Sequence, residues 1–144
     1  MLGLAACGGK DPAPAAAGAS PQMVQLVDRY AAKHGIPAAL MHRVVQRESG
    51  YNPAARNGPY YGMMQIAPET ARTVGYTGPA AGLLDAETNL EYAGRYLRGA
   101  YLVANGNHDR AVRWYSSGYY YEARNRCMLV ETGLRAREVA PHCR

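Results

Sequence analysis

The sequence predicts an all-α fold of about six to eight helices with little or no β structure. Apolar residues recur at helical spacing through most of the chain, and helix-capping and helix-ending residues stand at the ends of these stretches. No stretch shows the two-residue alternation of a half-buried strand bounded by hairpin turns. A length of 144 residues is enough for one domain with a single hydrophobic core.

Two helices are predicted at the start of the folded part. Ser20 is an N-cap candidate followed by a proline, and Gly35 ends the first helix. The second helix opens at Pro37 and ends at Gly50. Its inward face is formed by Met41, Val44 and Val45.

The middle of the chain is predicted to alternate between loops and helices. Residues 51–61 are rich in Asn, Gly, Pro and Tyr, which is typical of a loop that holds at most a small strand pair. A short helical stretch over residues 62–74 is interrupted near Pro68. Asp85 is the N-cap candidate of a long helix that runs to about Ala104.

Two shorter helices complete the predicted fold. Asp109 is the N-cap candidate of a helix through Tyr115, and another helix is expected after Gly118. The sequence therefore places its longest helix in the middle, with shorter helices on either side.

The charge balance is basic but names no partner by itself. The net charge is +5, and all basic residues except Lys10 and Lys33 are arginines. This surface suits an anionic polymer or an anionic lipid, but scattered arginines are also typical of an ordinary solvated surface. No basic stripe interleaved with aromatic residues is present, so nucleic-acid binding is not predicted. The 12 tyrosines, with no phenylalanine, suit either a groove for a polar ligand or a core in which Tyr replaces Phe.

The first residues resemble the lipobox of a bacterial lipoprotein. Leu4 to Cys7 read LAAC, and a Gly/Ala/Pro-rich stretch follows. We expect residues 1–7 to be a signal remnant with Cys7 as the lipidated residue, residues 8–19 to be a flexible linker, and residues 20–144 to be the catalytic domain. The apolar run is short for a complete signal, so an accidental match is the alternative.

The other two cysteines have two possible states. If Cys7 is acylated, Cys127 and Cys143 are left as a pair that can form a disulfide in an oxidising compartment. Free thiols in a reducing compartment are the alternative. No Cys-x-x-Cys pair and no His at ligand spacing are present, so neither a metal site nor a cofactor is predicted.

Glu48 lies where an apolar residue is expected. It follows Val44 and Val45 by four and three residues, so it falls on the buried face of the second helix. Loss of solvent and the negative end of the helix dipole both raise the pKa of a carboxyl group. A carboxyl that stays protonated near neutral pH can act as a general acid on a glycosidic bond. The alternative is a carboxylate paired with Arg47.

Four motifs give this acid a context. Their order and intervals resemble the catalytic domain of the soluble lytic transglycosylases, over roughly residues 21–118 and at the longest to about residue 134. The motifs are ESGYNP at 48–53, YGMMQI at 61–66, TNLEYAGRYL at 88–97 and AVRWYSSG at 111–118.

The resemblance implies a lysozyme-like fold with Glu48 as the sole catalytic acid and base. It implies that Ser49 orients Glu48 or contacts the substrate. Ser116 stands where the family usually has Asn, which puts the groove contact at that position in question. The substrate-binding residues implied by the motifs are Ser49, Tyr61, Met64, Gln65, Tyr115 and Ser116.

The resemblance further implies cleavage of the MurNAc-β-1,4-GlcNAc bond of peptidoglycan without water, giving 1,6-anhydroMurNAc ends. The partners are then peptidoglycan glycan strands in the bacterial periplasm, a membrane reached through the lipid anchor, and an envelope-spanning secretion machinery. A lysozyme-type muramidase and a catalytically impaired peptidoglycan-binding protein are the alternatives. Ordinary glycosidases use two carboxylates, and the motifs offer no second one.

Overall fold

The computed structural model describes residues 19–144, and the all-α prediction is confirmed. Cys7, the rest of the predicted signal remnant and residues 8–18 of the predicted linker lie outside the described residues. Besides the α-helices, these residues form two short 3-10 helices, Ala80–Leu84 and Pro141–Cys143. They also form one hairpin, in which β1 (Arg56–Asn57) pairs with β2 (Tyr60–Tyr61). The α-helices are α1 (Pro21–His34), α2 (Ala38–Ser49), α3 (Pro68–Thr73), α4 (Ala86–Val103), α5 (His108–Ser117) and α6 (Tyr120–Asn125).

The first helix begins and ends as its residues dictate. The Ser20 hydroxyl accepts a hydrogen bond from the Met23 N–H at 3.1 Å, which caps an otherwise unpaired donor. Gly35 adopts the left-handed conformation, with φ 71°, and its N–H bonds back to the last turn. The buried side of α1, which includes Val27 and Ala31, packs against α2 and α4.

The long helix α4 is the centre of the domain. The Asp85 carboxylate caps it by accepting from the Thr88 N–H at 3.0 Å. Helix α4 packs against α1, α3 and α5. Its fully buried residues, which recur every three or four positions, are Leu90, Ala93, Leu97 and Ala100.

One predicted helix start was wrong by two residues. The N-cap of α5 is Asn107, whose side-chain oxygen accepts from the Arg110 N–H at 2.9 Å, and not Asp109. Asn107 has the extended backbone that a cap requires. Asp109 lies in the first turn, where its charge suits the positive end of the helix dipole, and it accepts a hydrogen bond from Arg43 at 2.8 Å.

The C-terminal segment is tied back to the domain. A disulfide joins Cys127 to Cys143 across 16 positions, with the two Cα atoms 5.5 Å apart. Between them, the Glu138 carboxylate accepts from the N–H groups of Leu129 and Val130, each at 3.0 Å. No helix within residues 19–144 is long and apolar enough to cross a lipid bilayer.

Removing this disulfide will destabilise the domain. The double variant Cys127→Ala/Cys143→Ala frees the enclosed loop in the unfolded chain, so its free energy of unfolding is expected to fall by about 2–4 kcal/mol in urea titrations. Reductant added to the wild type should give the same loss and should leave the variant unaffected. An unchanged wild-type midpoint in reductant would contradict the pairing.

Candidate active site

Gly62 to Gln65 form a turn directly after β2, here called the GMMQ turn. Side chains from three helices hold its backbone. From α2, the Ser49 hydroxyl donates to the Met63 carbonyl at 2.7 Å. From α4, the Asn89 side-chain oxygen accepts from the Met64 N–H at 2.8 Å. From α5, the Tyr115 hydroxyl donates to the Met64 carbonyl at 2.7 Å. The four sequence motifs therefore meet at one point.

Asn89 is the most enclosed of these anchors. It has no exposed surface, and its side-chain N–H groups donate to the carbonyls of Tyr61 at 2.8 Å and Leu83 at 2.9 Å. Gly62 has φ 79°, and a Cβ there would collide with the Asn89 amide and the Leu83 carbonyl. Only glycine therefore fits the first position of the turn.

Gln65 closes the turn from its other end. Its backbone is left-handed, with φ 51°, and its side chain is buried. The side-chain N–H groups donate to the carbonyls of Ala55 at 3.1 Å and Gly62 at 3.0 Å, while its oxygen accepts from the Asn57 amide at 2.8 Å. Gln65 thus fastens the hairpin to the GMMQ turn.

Glu48 lies in the last turn of α2, beside the GMMQ turn. Its side chain is 23% exposed, and burial raises the pKa of its carboxyl group. The positive charge of Arg47 opposes this shift, but the closest approach of the guanidinium to the Glu48 carboxylate is 4.0 Å. No residue within 19–144 donates a hydrogen bond to this carboxylate, so it is available to a ligand.

Arg47 is held away from the acid by α5. Its guanidinium donates to the Ser116 hydroxyl at 3.0 Å. Ser116 therefore supplies an alternative partner for a cation that would otherwise be free to clamp Glu48 and lower its pKa.

The acid opens into a cavity of about 250 Å³, here called the Glu48 pocket. The buried Tyr115 forms part of its wall, and the pKa of Tyr115 lies well above its ordinary value because of burial and, secondarily, the nearby Glu48 carboxylate. Tyr115 consequently stays protonated and keeps its hydrogen bond to the turn. The pocket is lined by Arg47, Glu48, Tyr60, Gln65, Tyr115 and Ser116.

The Glu48 pocket continues into a second cavity of about 220 Å³, here called the middle cavity. The two cavities share four lining residues and are therefore adjacent, and together they are here called the groove. Beyond the shared residues, the middle cavity is bounded by Thr70 and Tyr96 on one side and by the end of α5 on the other. The shared residues are Tyr60, Gln65, Tyr115 and Ser116.

None of the other acidic residues in the described part of the chain lines the Glu48 pocket. Most of these other acidic residues bond to groups outside the pocket. Asp85 caps α4, Glu87 accepts from Tyr30, and Asp109 pairs with Arg43. Glu91 pairs with Lys33 and Arg95, and Glu122 pairs with Arg126. Glu48 therefore stands as a single carboxyl group in its pocket.

Comparison with protein families matches residues 25–126 to the Transglycosylase SLT domain. The match spans more than half of the chain and all four motifs. The chain belongs to this family. The predicted resemblance is confirmed, and the family acts on the glycan strands of peptidoglycan as a transglycosylase.

The SLT domain brings Glu48, Gln65, Tyr115 and Ser116 together, but it places Tyr61 elsewhere. Tyr60, which is 47% exposed, lines the pocket. Tyr61 is half-buried and stacks with Arg56, whose guanidinium lies 3.7 Å from the ring centroid. Adjacent residues of a strand face opposite sides, which is why Tyr60 lines the pocket and Tyr61 does not.

Two other predicted substrate contacts have structural roles in this SLT domain. The Met64 side chain is fully buried in the core, and only its backbone contributes, by receiving the bonds from Asn89 and Tyr115. The Ser49 hydroxyl donates to Met63 and accepts from the Asn52 N–H at 3.1 Å. Both positions therefore support the site from behind.

A further support was missed from the sequence. The Tyr51 hydroxyl donates to His42 Nδ1 at 2.7 Å, and His42 Nε2 donates to the Asp28 carboxylate at 2.7 Å. In a neutral imidazole these are the roles of the two nitrogens, because the Asp28 carboxylate can only accept and therefore bonds to the protonated Nε2. Burial raises the pKa of Tyr51 to about 12, so the phenol keeps its proton. Tyr51 has φ 67°, an uncommon backbone for tyrosine, and the chain of bonds holds it three residues after Glu48.

One cluster in the described residues has the donor types of a metal site. Cys127, His142 and Cys143 lie together, on the far end of the chain from Glu48. Both sulfurs are joined in the disulfide, so they are not available as thiolate ligands.

Replacing Asn89 will remove the hydrogen bonds that support the GMMQ turn and will destabilise the domain. Asn89→Ala leaves the Met64 N–H and two carbonyls without their partner, so the free energy of unfolding is expected to fall by about 2–5 kcal/mol in denaturant titrations. The control is Asn125→Ala, an exposed position at the end of α6 that should change stability by less than about 0.5 kcal/mol. Equal effects of the two variants would contradict the anchoring role.

Ser116→Ala will lower the pKa of Glu48. Without its hydroxyl partner, the Arg47 guanidinium is free to approach the carboxylate, and a nearby cation favours the ionised form. Arg47→Gln should shift the same pKa upwards. Both shifts are measurable by NMR titration of the Glu48 carboxyl carbon, identified by its absence in Glu48→Gln.

The control for this titration is Ser117→Ala, because the Ser117 hydroxyl bonds to the Arg113 carbonyl instead. If the pKa of Glu48 is the same in the wild type and in the Ser116 and Arg47 variants, Arg47 does not influence that pKa.

Proposed function

We propose that this SLT domain is a lytic transglycosylase that cleaves the MurNAc-β-1,4-GlcNAc bond, with Glu48 as its single general acid and base. The observation that carries the proposal is the solitary, half-buried carboxyl group of the Glu48 pocket. Its raised pKa favours the protonated form that a general acid requires.

The first step is proton donation. Protonated Glu48 gives its proton to the oxygen that joins the two sugars, and the bond between that oxygen and C1 of MurNAc breaks. The positive charge that develops at C1 is stabilised by the acetamido group of the same sugar, which takes the place of a second protein carboxylate. The GlcNAc-bearing fragment leaves as an alcohol.

The second step returns the acid to its starting state. Glu48, now a carboxylate, accepts the proton of the C6 hydroxyl of MurNAc while O6 bonds to C1 and the acetamido group is released. The products are a 1,6-anhydro ring and a free alcohol, and no water is consumed. A raised pKa suits both steps because the same group must donate and then accept.

The surroundings of the acid support this chemistry over ordinary hydrolysis. Glycosidases that use water or a covalent intermediate place a second carboxylate about 5–9.5 Å from the first. In the described residues the pocket walls hold instead an arginine, two tyrosines, an amide and a hydroxyl beside Glu48. The exposed ring of Tyr60 at the pocket also suits stacking against a sugar.

The proposal places the protein in the bacterial periplasm, anchored by a lipid on Cys7. The disulfide between Cys127 and Cys143 supports an oxidising compartment, where such bonds persist. The basic net charge of +5 suits a wall polymer whose peptide stems carry carboxylates.

The variant Glu48→Gln will keep the fold and lose the activity. The amide cannot donate and reclaim the proton, so release of 1,6-anhydromuropeptides from purified sacculi should fall by about 1,000-fold or more, as measured by mass spectrometry. Its stability at neutral pH should equal or exceed that of the wild type, because a half-buried charge is removed.

The sign of that stability difference follows from the raised pKa. The cost of the charged Glu48 is present above its folded pKa, so the advantage of Glu48→Gln should vanish as pH falls below the ordinary pKa of Glu. Substantial turnover by the variant would refute the role of Glu48. Wild-type products one water heavier with reducing ends would show a muramidase, and binding to sacculi without release would show a wall-binding protein.

A further inference from the structure

The groove extends beyond the middle cavity into a third and larger one, here called the distal cavity. Its volume is about 590 Å³, and it shares Thr70 and Tyr96 with the middle cavity. The distal cavity is therefore adjacent to the middle cavity, and Thr70 and Tyr96 lie where the two meet. The distal cavity is lined by Glu69, Thr70, Arg72, Thr73, Tyr96, Tyr120, Leu134 and Arg135.

Two arginines of the distal cavity have no ion-pair or hydrogen-bond partner among the described residues. Arg72 and Arg135 are both exposed, and among residues 19–144 neither guanidinium takes part in an ion pair or a hydrogen bond. Other arginines of the domain are engaged: Arg43, for example, pairs with Asp109 at 2.8 Å. The distal cavity thus offers two uncommitted cations.

The surroundings of these arginines restrict the Arg135 side chain and leave the cavity positively charged. The Arg135 guanidinium lies over the ring of Tyr120, 5.4 Å from its centroid, which limits the directions the long side chain samples. Glu69 also lines the cavity, but its carboxylate lies beyond 4.0 Å from both guanidinium groups, since no ion pair joins them. With two cations and one anion, the cavity is net positive.

We propose that the distal cavity binds the carboxylate-bearing peptide stem of the glycan strand whose scissile bond lies in the Glu48 pocket. This inference rests on the proposed function. Stems hang from every MurNAc, so a strand that fills the groove carries one beyond the pocket. Guanidinium groups bind carboxylates through paired hydrogen bonds, which suits Arg72 and Arg135.

The test measures binding separately from catalysis. In the Glu48→Gln background, soluble glycan fragments with intact stems are compared by calorimetry with the same fragments after an amidase has removed the stems. Stem-bearing fragments should bind about five- to tenfold more tightly, as expected of two exposed charge-assisted contacts. This preference should shrink with added salt.

Variants of the two arginines then test whether Arg72 and Arg135 cause the tighter binding of stem-bearing fragments. Adding Arg72→Gln and Arg135→Gln should bring the ratio of the two dissociation constants close to one. Arg137→Gln is the matched control, because Arg137 is exposed, lies two residues from Arg135 and lines a separate cavity. It should leave the ratio unchanged.

Three outcomes would overturn the inference. The first is equal binding of stem-bearing and stem-free fragments before any arginine is changed, and the second is an undiminished preference in the double variant. The third is that stem-bearing fragments bind equally well before and after their stem carboxylates are amidated. Failure of the proposed function has a different signature. In that case wild-type protein releases no anhydro product, whatever the binding ratio shows.

Discussion

The fold depends on the hydrogen bonds that three helices make to the backbone of the GMMQ turn. Ser49, Asn89 and Tyr115 come from α2, α4 and α5, and each bonds to Met63 or Met64. A turn left unpaired inside a protein costs the full desolvation of its polar groups, so these bonds favour the arrangement of the three helices that makes all of them. The same arrangement fixes the end of α2, and with it the position of the acid.

The electrostatics of Glu48 are a compromise between two demands. Burial favours the proton, whereas Arg47 favours its loss, and the bond from Arg47 to Ser116 limits how far the second effect goes. An acid that donates and then accepts a proton must have a pKa that is not far from the working pH. Ser116, which stands where the family usually has Asn, thus takes part in setting the pKa of Glu48.

The sequence predicted most of the helices, the position of Glu48 and the family, because these follow from local periodicity, caps and motifs. The helical stretch predicted over residues 62–74 was wrong in its first part, where residues 62–65 form the GMMQ turn and α3 begins only at Pro68. Ser20, Gly35 and Asp85 act at short range, so their roles are visible in the chain itself. The roles of Asn89 and His42 are not visible there. Asp28 lies 14 residues from His42, and Met64 and Tyr61 lie 25 and 28 residues from Asn89, so these partners are found only after folding. A two-residue strand is too short to show its alternation in the sequence, so which of Tyr60 and Tyr61 lines the pocket is visible only in the fold.

Leu134 and Arg135, which form one wall of the distal cavity, lie inside the loop closed by the disulfide and beyond residue 126, where the family match ends. The reaction centre is anchored by hydrogen bonds within the shared domain, while this wall has its own covalent tether. In the proposed function, substrate selection by this wall and bond cleavage at Glu48 thus depend on separately fastened parts of the molecule. Substitutions at Leu134 or Arg135 would change this wall without removing any of the hydrogen bonds that hold the GMMQ turn.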